Sequence, residues 1–565
     1  MAIVRALPFA VSVLVAAGIA VADQAVPPQA VPPQAAPPPA AMPQAAVPDN
    51  ATLEAAGARI GQVTIRSAAI FDLSDPRENR ALYRLANRWH INTRAGVIRS
   101  QLLFRSGERY DHRLLEETER RLRQLNFLRE PRIRPIAWHD GVVDILVETR
   151  DVWTLQLGPS YGRRGGKNDI SLEFQDNNLL GFGKTLIAGS SRGIDRNSTY
   201  FEWRDPAVFG GRWVDSFRWS NNSDGRGWRV QLARPFYALE VRHAGGLTLA
   251  DASGADTRYL LGREYDRYQH AARLLDVFGG WSAGLRSGHV LRLAAGWRVE
   301  RDAFGALYGG APPVPLTLAP IPADRDLEYP YLRADWLTDR FHTTRNQDLI
   351  ARTEDLSFGL AATLQLGLAS PAFGADRRAW VYAARADYGW RLSSRQQLYA
   401  GAGLSGRSES RGTVDERVNA DLAWYWRTSH RTLTHVRIAG DAGHALDLDH
   451  YYGLGGDNGL RGYPLRYQLG AARAQLKVEE RVYTDWSLWQ LFTIGGAAFF
   501  DAGRTYGSNP LGVPQLGWLR DVGIGLRLGN DRSALGNVIH VDIAAPLDGQ
   551  NLSRLQFLVS TEATL

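Results

Sequence analysis

The chain has no cysteine, little lysine and no long apolar run after its first residues. Without cysteine there can be no disulfide, zinc–thiolate site, lipoprotein anchor or cysteine nucleophile. Beyond the N-terminus no stretch approaches the ~20 apolar residues that a transmembrane helix needs, which excludes a helical membrane protein. The net charge of +7 and the pI of about 9.5 come almost entirely from dispersed arginine. Because there is no basic block, nucleic acid is not an expected partner, whereas anionic lipid or polypeptide is.

The N-terminus has the pattern of a secretory signal followed by a proline-rich linker. Arg5 supplies a positive charge, residues 7–20 a short apolar core, and residues 20–22 (AVA) a small-residue cleavage site. Residues 1–22 are therefore predicted to be a signal peptide, with a buried helix as the alternative. Residues 23–58, rich in Pro, Ala and Gln up to residue 50, are predicted to be a semi-extended linker.

Residues 59–150 have the pattern of one small α/β domain in the order β-α-α-β-β, with a further helix, begun at Pro76, predicted in a segment inserted after the first strand. Its first strand alternates at Val63 and Ile65, and its last helix starts near Asp111 and ends before two closing strands. One face of that helix carries apolar and small residues, namely Leu115, Thr118, Leu122 and Leu125.

From residue 151 to the end the chain alternates between apolar and polar residues with period two. Leu291 and Leu293, for example, flank Arg292. A soluble β-sandwich also alternates, but here an aromatic-rich apolar face recurs over many strands, and glycine (57), tryptophan (17) and tyrosine (21) are plentiful. We predict an all-β transmembrane barrel over residues 151–565, apolar outside and charged inside. At about 9–11 residues per strand plus loops, it would hold about sixteen antiparallel strands.

Three short strings resemble catalytic or nucleotide-binding motifs. Residues 189–193 match G-x-S-x-G, residues 401–406 match G-x-G-x-x-G, and residues 181–185 resemble the end of a P-loop. None stands at the strand-to-helix turn that gives such motifs their chemistry. We therefore expect the protein not to be an enzyme, with a barrel hydrolase that uses Ser191 and a histidine as the alternative.

Four histidines lie close together in the sequence without a spacing that would place them on one helix face. They are His430, His435, His444 and His450. Histidines satisfied by lumen or loop neighbours explain this pattern better than a metal site. Neither a metal nor a cofactor is predicted.

The string GLGGDNGLRGYPLR at 453–466 sets an arginine, Arg461, between Leu460 and the Gly462-Tyr463 pair of a glycine-rich loop that lies between alternating strands. Its glycines, among them Gly455, Gly456 and Gly459, would let the loop turn and pack tightly. A guanidinium that enters the lumen would meet planar carboxylates that it can bind through two hydrogen bonds.

The phase of the neighbouring strands decides which charges are available in the lumen. Phe492, Ile494 and Phe500 share one face, so Asp501 faces the other way, into the lumen. The same reasoning turns further charged side chains inward, namely Glu479, Arg481 and Asp542. Alternation alone leaves the partner of Arg461 open, since an arginine on an external loop could equally meet water or lipid phosphate.

A β-α-α-β-β unit followed by a large barrel resembles the BamA/TamA superfamily of outer-membrane assembly and translocation barrels, over residues 59–565. The resemblance rests on several strings: SGERYDHRLLEETERRLRQLNFL at 106–128, NNLLGFGK at 177–184, EERVY at 479–483 and AFFDAG at 498–503. It rests above all on Leu460, Arg461, Gly462 and Tyr463, which look like the V/I-R-G-F/Y signature of that family.

The resemblance implies a sixteen-stranded barrel, a POTRA-like domain in the periplasm, and a loop that folds into the lumen with Asp501 as the partner of Arg461. It implies a protein of the outer membrane of a Gram-negative bacterium, in contact with outer-membrane lipid, that assists insertion or translocation of unfolded outer-membrane or secreted polypeptides. Clients would exchange at the seam between residues 153–161 and 555–560. Only one POTRA-like unit fits before the barrel, and the final LQFLVSTEATL lacks a terminal Phe or Trp.

Two further functions are compatible with the same residues. One is a dedicated secretion pore for a single partner protein. The other is a passive structural or lipid-contacting barrel. Accessory proteins are not predicted by any feature of the sequence.

Overall fold

The computed structural model describes residues 47–208, 210–306, 320–488, 491–509, 512, 515–530, 532–534, 538–549 and 552–562. The predicted signal peptide and residues 23–46 of the predicted linker lie outside these ranges. Within the described ranges no helix is both long and apolar enough to cross a bilayer.

The N-terminal part is a three-stranded mixed sheet with helices packed on it. The helices are α1 (Asn50–Ala55), α2 (Ala81–Trp89), α3 (Ala95–Gln101) and α4 (His112–Gln124), and the strands are β1 (Arg59–Ala68), β2 (Leu128–His139) and β3 (Val142–Asp151). Strand β3 is central, parallel to β1 and antiparallel to β2. One hydrophobic core joins the helices to the sheet, with Leu53, Ile98, Leu122 and Val143 at its centre.

Two features of this N-terminal part differ from the sequence pattern. Helix α1 lies within the segment predicted as linker; the Asp49 side chain caps it by accepting from the Thr52 N–H, and Leu53 is fully buried in the core. Three helices separate β1 from β2, and the first of them, α2, begins at Ala81 rather than at Pro76, where the inserted segment predicts a helix. Helix α2 packs its Tyr83 ring on Phe71 at 4.3 Å between centroids.

The remaining chain is almost entirely β-structure. Its strands are β4 (Leu155–Arg164), β5 (Lys167–Asp176), β6 (Thr185–Arg192), β7 (Asn197–Val208), β8 (Trp213–Asn222), β9 (Gly225–Arg234), β10 (His243–Leu260), β11 (Arg263–Arg286), β12 (His289–Ala306), β13 (Arg325–Thr338), β14 (Phe341–Arg345), β15 (Thr353–Ser357), β16 (Gly359–Ala369), β17 (Ala379–Arg391), β18 (Gln396–Glu409), β19 (Gly412–Trp426), β20 (Thr432–His444), β21 (Tyr452–Leu454), β22 (Gln468–Gly470), β23 (Ala472–Leu488), β24 (Phe492–Tyr506), β25 (Leu519–Gly529), β26 (Val538–Pro546) and β27 (Gln556–Glu562).

In the described part of the chain, twenty of these strands close into one antiparallel barrel, and β14–β15 and β21–β22 are separate hairpins. The predicted all-β barrel is thus confirmed, but the prediction of about sixteen strands is wrong. That estimate allowed for long loops on one side. The strands from β4 to β9 are instead only 8–12 residues long, and tight turns such as Gly165-Gly166, at φ 51° and 80°, join several of them.

The two faces of the barrel wall differ in the way that the alternation predicts. Large apolar side chains stand exposed on the outer face, including Leu157, Leu172, Trp219, Trp281, Leu332, Leu364, Ile438 and Ile524. Charged side chains such as Asp501, Arg527 and Asp542 are buried inside. A wall of this kind suits a bilayer, where closed ladders satisfy the backbone and apolar side chains face the lipid.

Two connecting segments fold into the lumen from opposite ends. The near end of the barrel is the one that carries the N-terminal domain, since the chain enters the wall there at Leu155. The first segment, residues 339–358, enters from the near end and contains β14 and β15; we call it the near-end hairpin. The second segment, residues 445–471, enters from the far end and contains β21, β22 and Arg461; we call it the arginine loop.

Candidate functional site

The turn that carries Arg461 is fixed by burial and by one tyrosine. Leu460 and Tyr463 are fully buried and pack with Leu519 of the wall. The Tyr463 hydroxyl lies 2.9 Å from the carbonyl oxygen of Arg520 and accepts a hydrogen bond from the Arg520 N–H at 3.1 Å. It also lies 3.1 Å from the carbonyl oxygen of Asp548, in the β26–β27 connection. The turn is therefore held against the last strands of the barrel.

The predicted loop glycines lie where a side chain would collide with the backbone or with the wall. A Cβ at Gly456 would lie 2.6 Å from the Gly165 Cα, and one at Gly455 would lie 2.3 Å from a loop carbonyl oxygen. Gly459 has φ 130°, a conformation that non-glycine residues rarely adopt. A Cβ at Gly462 would lie 2.6 Å from the Asp521 Cβ. Close approach to the wall thus requires glycine in this loop.

The Arg461 guanidinium is bound on several sides. Its Nε and Nη2 donate to the two carboxylate oxygens of Asp501 at 2.7 and 2.9 Å, and its Nη1 donates to Glu479 at 2.9 Å. Asp542 lies 3.5 Å from Nη1, and the guanidinium carbon lies 3.3 Å from the centroid of the Phe499 ring. A planar, paired and stacked arginine of this kind is tightly oriented.

The charge cluster extends to two further arginines. Glu479, almost fully buried, also accepts from Arg481 Nε at 3.0 Å and lies 3.3 Å from Nη2 of Arg527. Arg527 in turn donates to Asp542 at 2.5 Å. The structure therefore brings together every charged residue singled out in the sequence and adds Arg527 and Phe499. Both additions follow the same alternation, since Phe499 and Asp501 share a face, as do Arg527 and Asp521.

Asp521 is a further buried carboxyl beside this cluster. It is fully buried and pairs in register with Asp501 across the β24–β25 ladder. Among the described residues, no arginine or lysine lies within ion-pair distance of it, whereas Glu479, Asp501 and Asp542 each meet at least one guanidinium. The cluster thus sets four carboxyls against three arginines, and Asp521 is the one outside the ion pairs.

The charge cluster continues into the near-end hairpin. Arg481 Nη1 donates to the carbonyl oxygen of Gln347 at 2.5 Å and lies 3.5 Å from Asp348, which also accepts from the Tyr425 hydroxyl at 3.2 Å. Ile350, at the tip of the hairpin, is buried among wall residues Tyr425, Leu433, Tyr483 and Val538. The arginine loop and the near-end hairpin therefore meet through Glu479 and Arg481 in the middle of the lumen.

The near-end hairpin is also tied to the N-terminal domain. Arg123 of α4 binds both carboxylate oxygens of Asp355 at 2.7 and 2.8 Å. Arg345 donates to Glu130 at 3.1 Å. Glu117, also on α4, accepts a hydrogen bond from the Leu239 N–H at 2.8 Å, in the near-end turn between β9 and β10. Burial raises the pKa of the Glu117 carboxyl. Helix α4 thus contacts both a turn of the barrel and the hairpin inside it.

The seam between the first and last strands is the weakest ladder of the wall. Among the described residues, β27 and β4 share one registered pair, Val559 with Arg163. The neighbouring β4–β5 and β26–β27 ladders have ten and seven pairs. The first strand runs Leu155–Arg164, because Trp153 leaves the wall to bridge to Ser533 at the near end.

The arginine loop touches both sides of this seam at the far end. Tyr463 contacts the β26–β27 connection through Asp548, and Gly456 and Leu465 lie against Gly165 in the β4–β5 turn. A loop packed on both flanking turns can hold the seam closed there while the wall between them is nearly unpaired.

The remaining candidate motifs lie in ordinary ladders. Ser191 is in β6, in register with Ser171 and Ser198, and residues 401–406 are within β18. Asp415, Asp447 and His450 come close enough to bind a cation, but Asp447 already accepts from Arg407 at 2.9 Å and His450 Nδ1 lies 2.8 Å from Asp415. Their ligand atoms are engaged in ion pairs and hydrogen bonds.

Comparison with known proteins gives similarity of architecture only. No family model matches the chain, and no curated protein matches it. Solved structures with a similar fold include BamA from Haemophilus ducreyi lacking POTRA domains 1–3, at 12% identity over 88% of this chain and 84% of that chain, with a TM-score of 0.38. Another is CdiB from Escherichia coli, at 12% identity over 88% of this chain and 75% of that chain, with a TM-score of 0.46. A third is CdiB from Acinetobacter baumannii, at 10% identity over 89% of this chain and 74% of that chain, with a TM-score of 0.44. A likeness of this degree says nothing about activity.

Proposed function

We propose that the protein is an outer-membrane barrel of a Gram-negative bacterium that assists the insertion or translocation of polypeptides. The N-terminal domain would lie in the periplasm, and clients would be unfolded outer-membrane or secreted chains. The observation that carries the proposal is the seam, where one registered pair among the described residues joins the first and last strands. No acid, base or nucleophile is assigned, because templating by a strand edge needs none.

An unpaired strand edge inside a bilayer is costly, since each unsatisfied backbone group loses several kcal/mol in hydrocarbon. A client strand that pairs with the edge of β4 or β27 removes that cost and gains a template for its own pairing. The arginine loop supports this role because it braces the far end of the seam on both sides. The charge cluster at Arg461 would fix the loop, and thereby the position of the two edges.

A dedicated secretion pore is the second candidate, and the lumen bears on it. The arginine loop and the near-end hairpin both fill the lumen and meet at its centre. A polypeptide that crossed through the lumen would have to displace at least one of them. Exchange at the seam needs neither displacement, which favours insertion over passage through the lumen.

The experiment is depletion of the protein in its native host, followed by quantification of the outer-membrane proteome. We expect many barrel proteins to decline together. A decline of one secreted or surface protein alone would favour the secretion pore. An unchanged proteome would contradict both roles and leave a passive structural or lipid-contacting barrel.

A further inference from the structure

Helix α2 leaves an apolar face open on the surface of the N-terminal domain. Its Tyr83 and Ala86 are buried against Phe71, but Leu82 and Trp89 are 44% and 62% exposed. Residues seven apart lie on the same side of a helix, so these two side chains form one stripe. Arg88 is exposed and flanks the stripe, about 100° around the helix from Trp89. Arg84 lies about 140–160° from both stripe residues and donates to the Asn79 side chain at 2.7 Å. An apolar stripe flanked by arginine is the pattern of a helix that lies in a membrane interface.

The stripe continues onto the barrel itself. Ile91, 51% exposed, packs beside Gly181 in the near-end turn between β5 and β6. The Arg94 N–H donates to the Gly181 carbonyl at 3.0 Å, and the Arg94 guanidinium lies 3.8 Å from the centroid of the Phe182 ring. We call the exposed surface formed by Leu82, Trp89, Ile91, Leu180 and Phe182 the apolar ledge.

Aromatic and basic side chains at the near ends of β6, β7 and β8 lie close to the ledge in the chain. Just beyond Phe182, the Lys184 ammonium lies 5.5 Å from the centroid of the Trp203 ring. Trp203 is in register with Leu186 on the outer face, and Trp213, at the start of β8, is exposed. Aromatic and basic side chains at strand ends mark the membrane–water interface of a barrel.

The position of α2 also places the ledge beside the seam. Phe71, Tyr83 and Ala86 form one cluster with Trp153, two residues before β4, and with Leu491 in the β23–β24 turn. Leu155 and Leu157, which begin β4, are exposed on the outer face. A bilayer that covers these two leucines must end next to the ledge, so lipid is the occupant that this surface meets continuously.

We propose that the apolar ledge docks into the periplasmic leaflet of the membrane beneath the seam. Trp89, Ile91 and Phe182 would enter the interface, and Arg88 would bind phosphate groups of phospholipids. Docking would fix the N-terminal domain close to the first strand. The proposal rests on the membrane location proposed above, so its test must report on the barrel separately.

The absence of cysteine makes single-site labelling direct. Three variants of the full chain, Trp89→Cys, His139→Cys and Leu157→Cys, each receive an environment-sensitive fluorophore and are reconstituted into vesicles of phosphatidylethanolamine and phosphatidylglycerol. Brominated acyl chains then act as the quencher. His139 is exposed in the β2–β3 hairpin, ten residues of β3 away from the barrel, or roughly 30 Å at about 3.3 Å per residue.

We expect the labels at 157 and 89 to be quenched by brominated lipid and the label at 139 to remain unquenched. Replacing the flanking arginine with glutamate (Arg88→Glu) should lower the docked population at least about fivefold and reduce quenching at 89, because a basic residue contributes about 1 kcal/mol at an anionic surface. Quenching at 157 should not change.

Two results would contradict the docking of the apolar ledge into the membrane. If the label at 157 is quenched but that at 89 behaves like that at 139, the domain does not touch the leaflet. If the label at 89 is protected from both brominated lipid and aqueous iodide, protein covers the ledge instead. A label at 157 that brominated lipid does not quench would instead contradict the membrane barrel itself.

Discussion

At the scale of single residues, Arg461 is the side chain on which the lumen cluster depends. It meets Asp501 through two hydrogen bonds, Glu479 through one, and the face of Phe499. Buried ion pairs gain little over apolar packing, but removing one partner leaves an uncompensated charge. Such a cluster therefore contributes more to a unique loop position than to net stability.

Reversing the charge of this arginine should release the arginine loop. Arg461→Glu sets a fourth carboxylate among Glu479, Asp501 and Asp542, and we expect a loss of about 3–5 kcal/mol. The measurement is heat-resistant migration on gels together with rescue of the depleted host. Adding Asp501→Arg should restore both in part, because positions 461 and 501 would again carry opposite charges at hydrogen-bond distance.

Two matched variants separate charge from geometry. Arg461→Lys keeps the charge but loses the bidentate contact, so an intermediate phenotype is expected. Asp521→Asn changes the neighbouring carboxyl that no guanidinium reaches, and should leave gel migration and rescue unchanged. Wild-type behaviour of Arg461→Glu would show that the ion pairs do not hold the loop.

Most residues of this site could be predicted from the sequence, because the alternation of apolar and polar residues determines which side chains face the lumen. Glu479, Arg481, Asp501 and Asp542 could each be placed in the lumen by period two alone. Alternation does not determine which strands lie opposite each other or how deep a loop reaches. The contacts of Arg461 with Glu479, and of Arg481 with the Gln347 carbonyl, depend on the closed barrel and could not be derived from local pattern.

At the scale of elements, the near-end hairpin was the largest feature that the sequence did not indicate. Residues 339–358 mix charged, polar and apolar side chains without a clear period. The segment is ordered by tertiary contacts instead: Ile350 packs into the wall, and Glu354 accepts the N–H groups of Gln347 and Asp348 at 2.9 Å each. The predicted number of strands was wrong for a related reason. The number of strands that fit into the chain depends on the lengths of the turns, which the strand pattern does not reveal.

Removing the tip of the hairpin should open the near end of the lumen. Replacing residues 346–352 with a glycine–serine linker takes away Ile350 and the Asp348 carboxylate, which lies 3.5 Å from Arg481 and accepts from the Tyr425 hydroxyl. We expect larger single-channel conductance in planar bilayers than for the wild type. The arginine loop still narrows the far end, so the increase should fall short of an empty barrel.

The tie to helix α4 offers a matched control. Asp355→Asn weakens the bidentate contact with Arg123 but leaves the tip in place. It should raise the frequency of opening events without raising their size. Equal conductance of wild type and linker variant would mean that the hairpin does not close the lumen.

At the scale of the whole molecule, the described part of the barrel combines a seam of one registered pair with contacts that brace it at both ends. The arginine loop lies across the far end, and Trp153, Ser533 and helix α2 lie at the near end. The other ladders of the wall have more registered pairs than the seam, so the barrel would open most readily at the seam. Opening there would expose two strand edges to the bilayer and leave the filled lumen undisturbed.

A disulfide across the seam tests this directly, since the chain has no cysteine of its own. Val559 and Arg163 are ladder partners, and antiparallel partners lie about 4.5–5.5 Å apart between Cα atoms, within reach of a disulfide. If clients exchange at the seam, oxidised Val559→Cys/Arg163→Cys should fail to rescue the depleted host, and reduction should restore rescue. The same pair of substitutions at Ser160 and Ser171, partners in the β4–β5 ladder, should rescue in both states. Full rescue by the oxidised seam variant would exclude exchange at the seam. If the variant with the linker at residues 346–352 also changed secretion, the route through the lumen would be favoured.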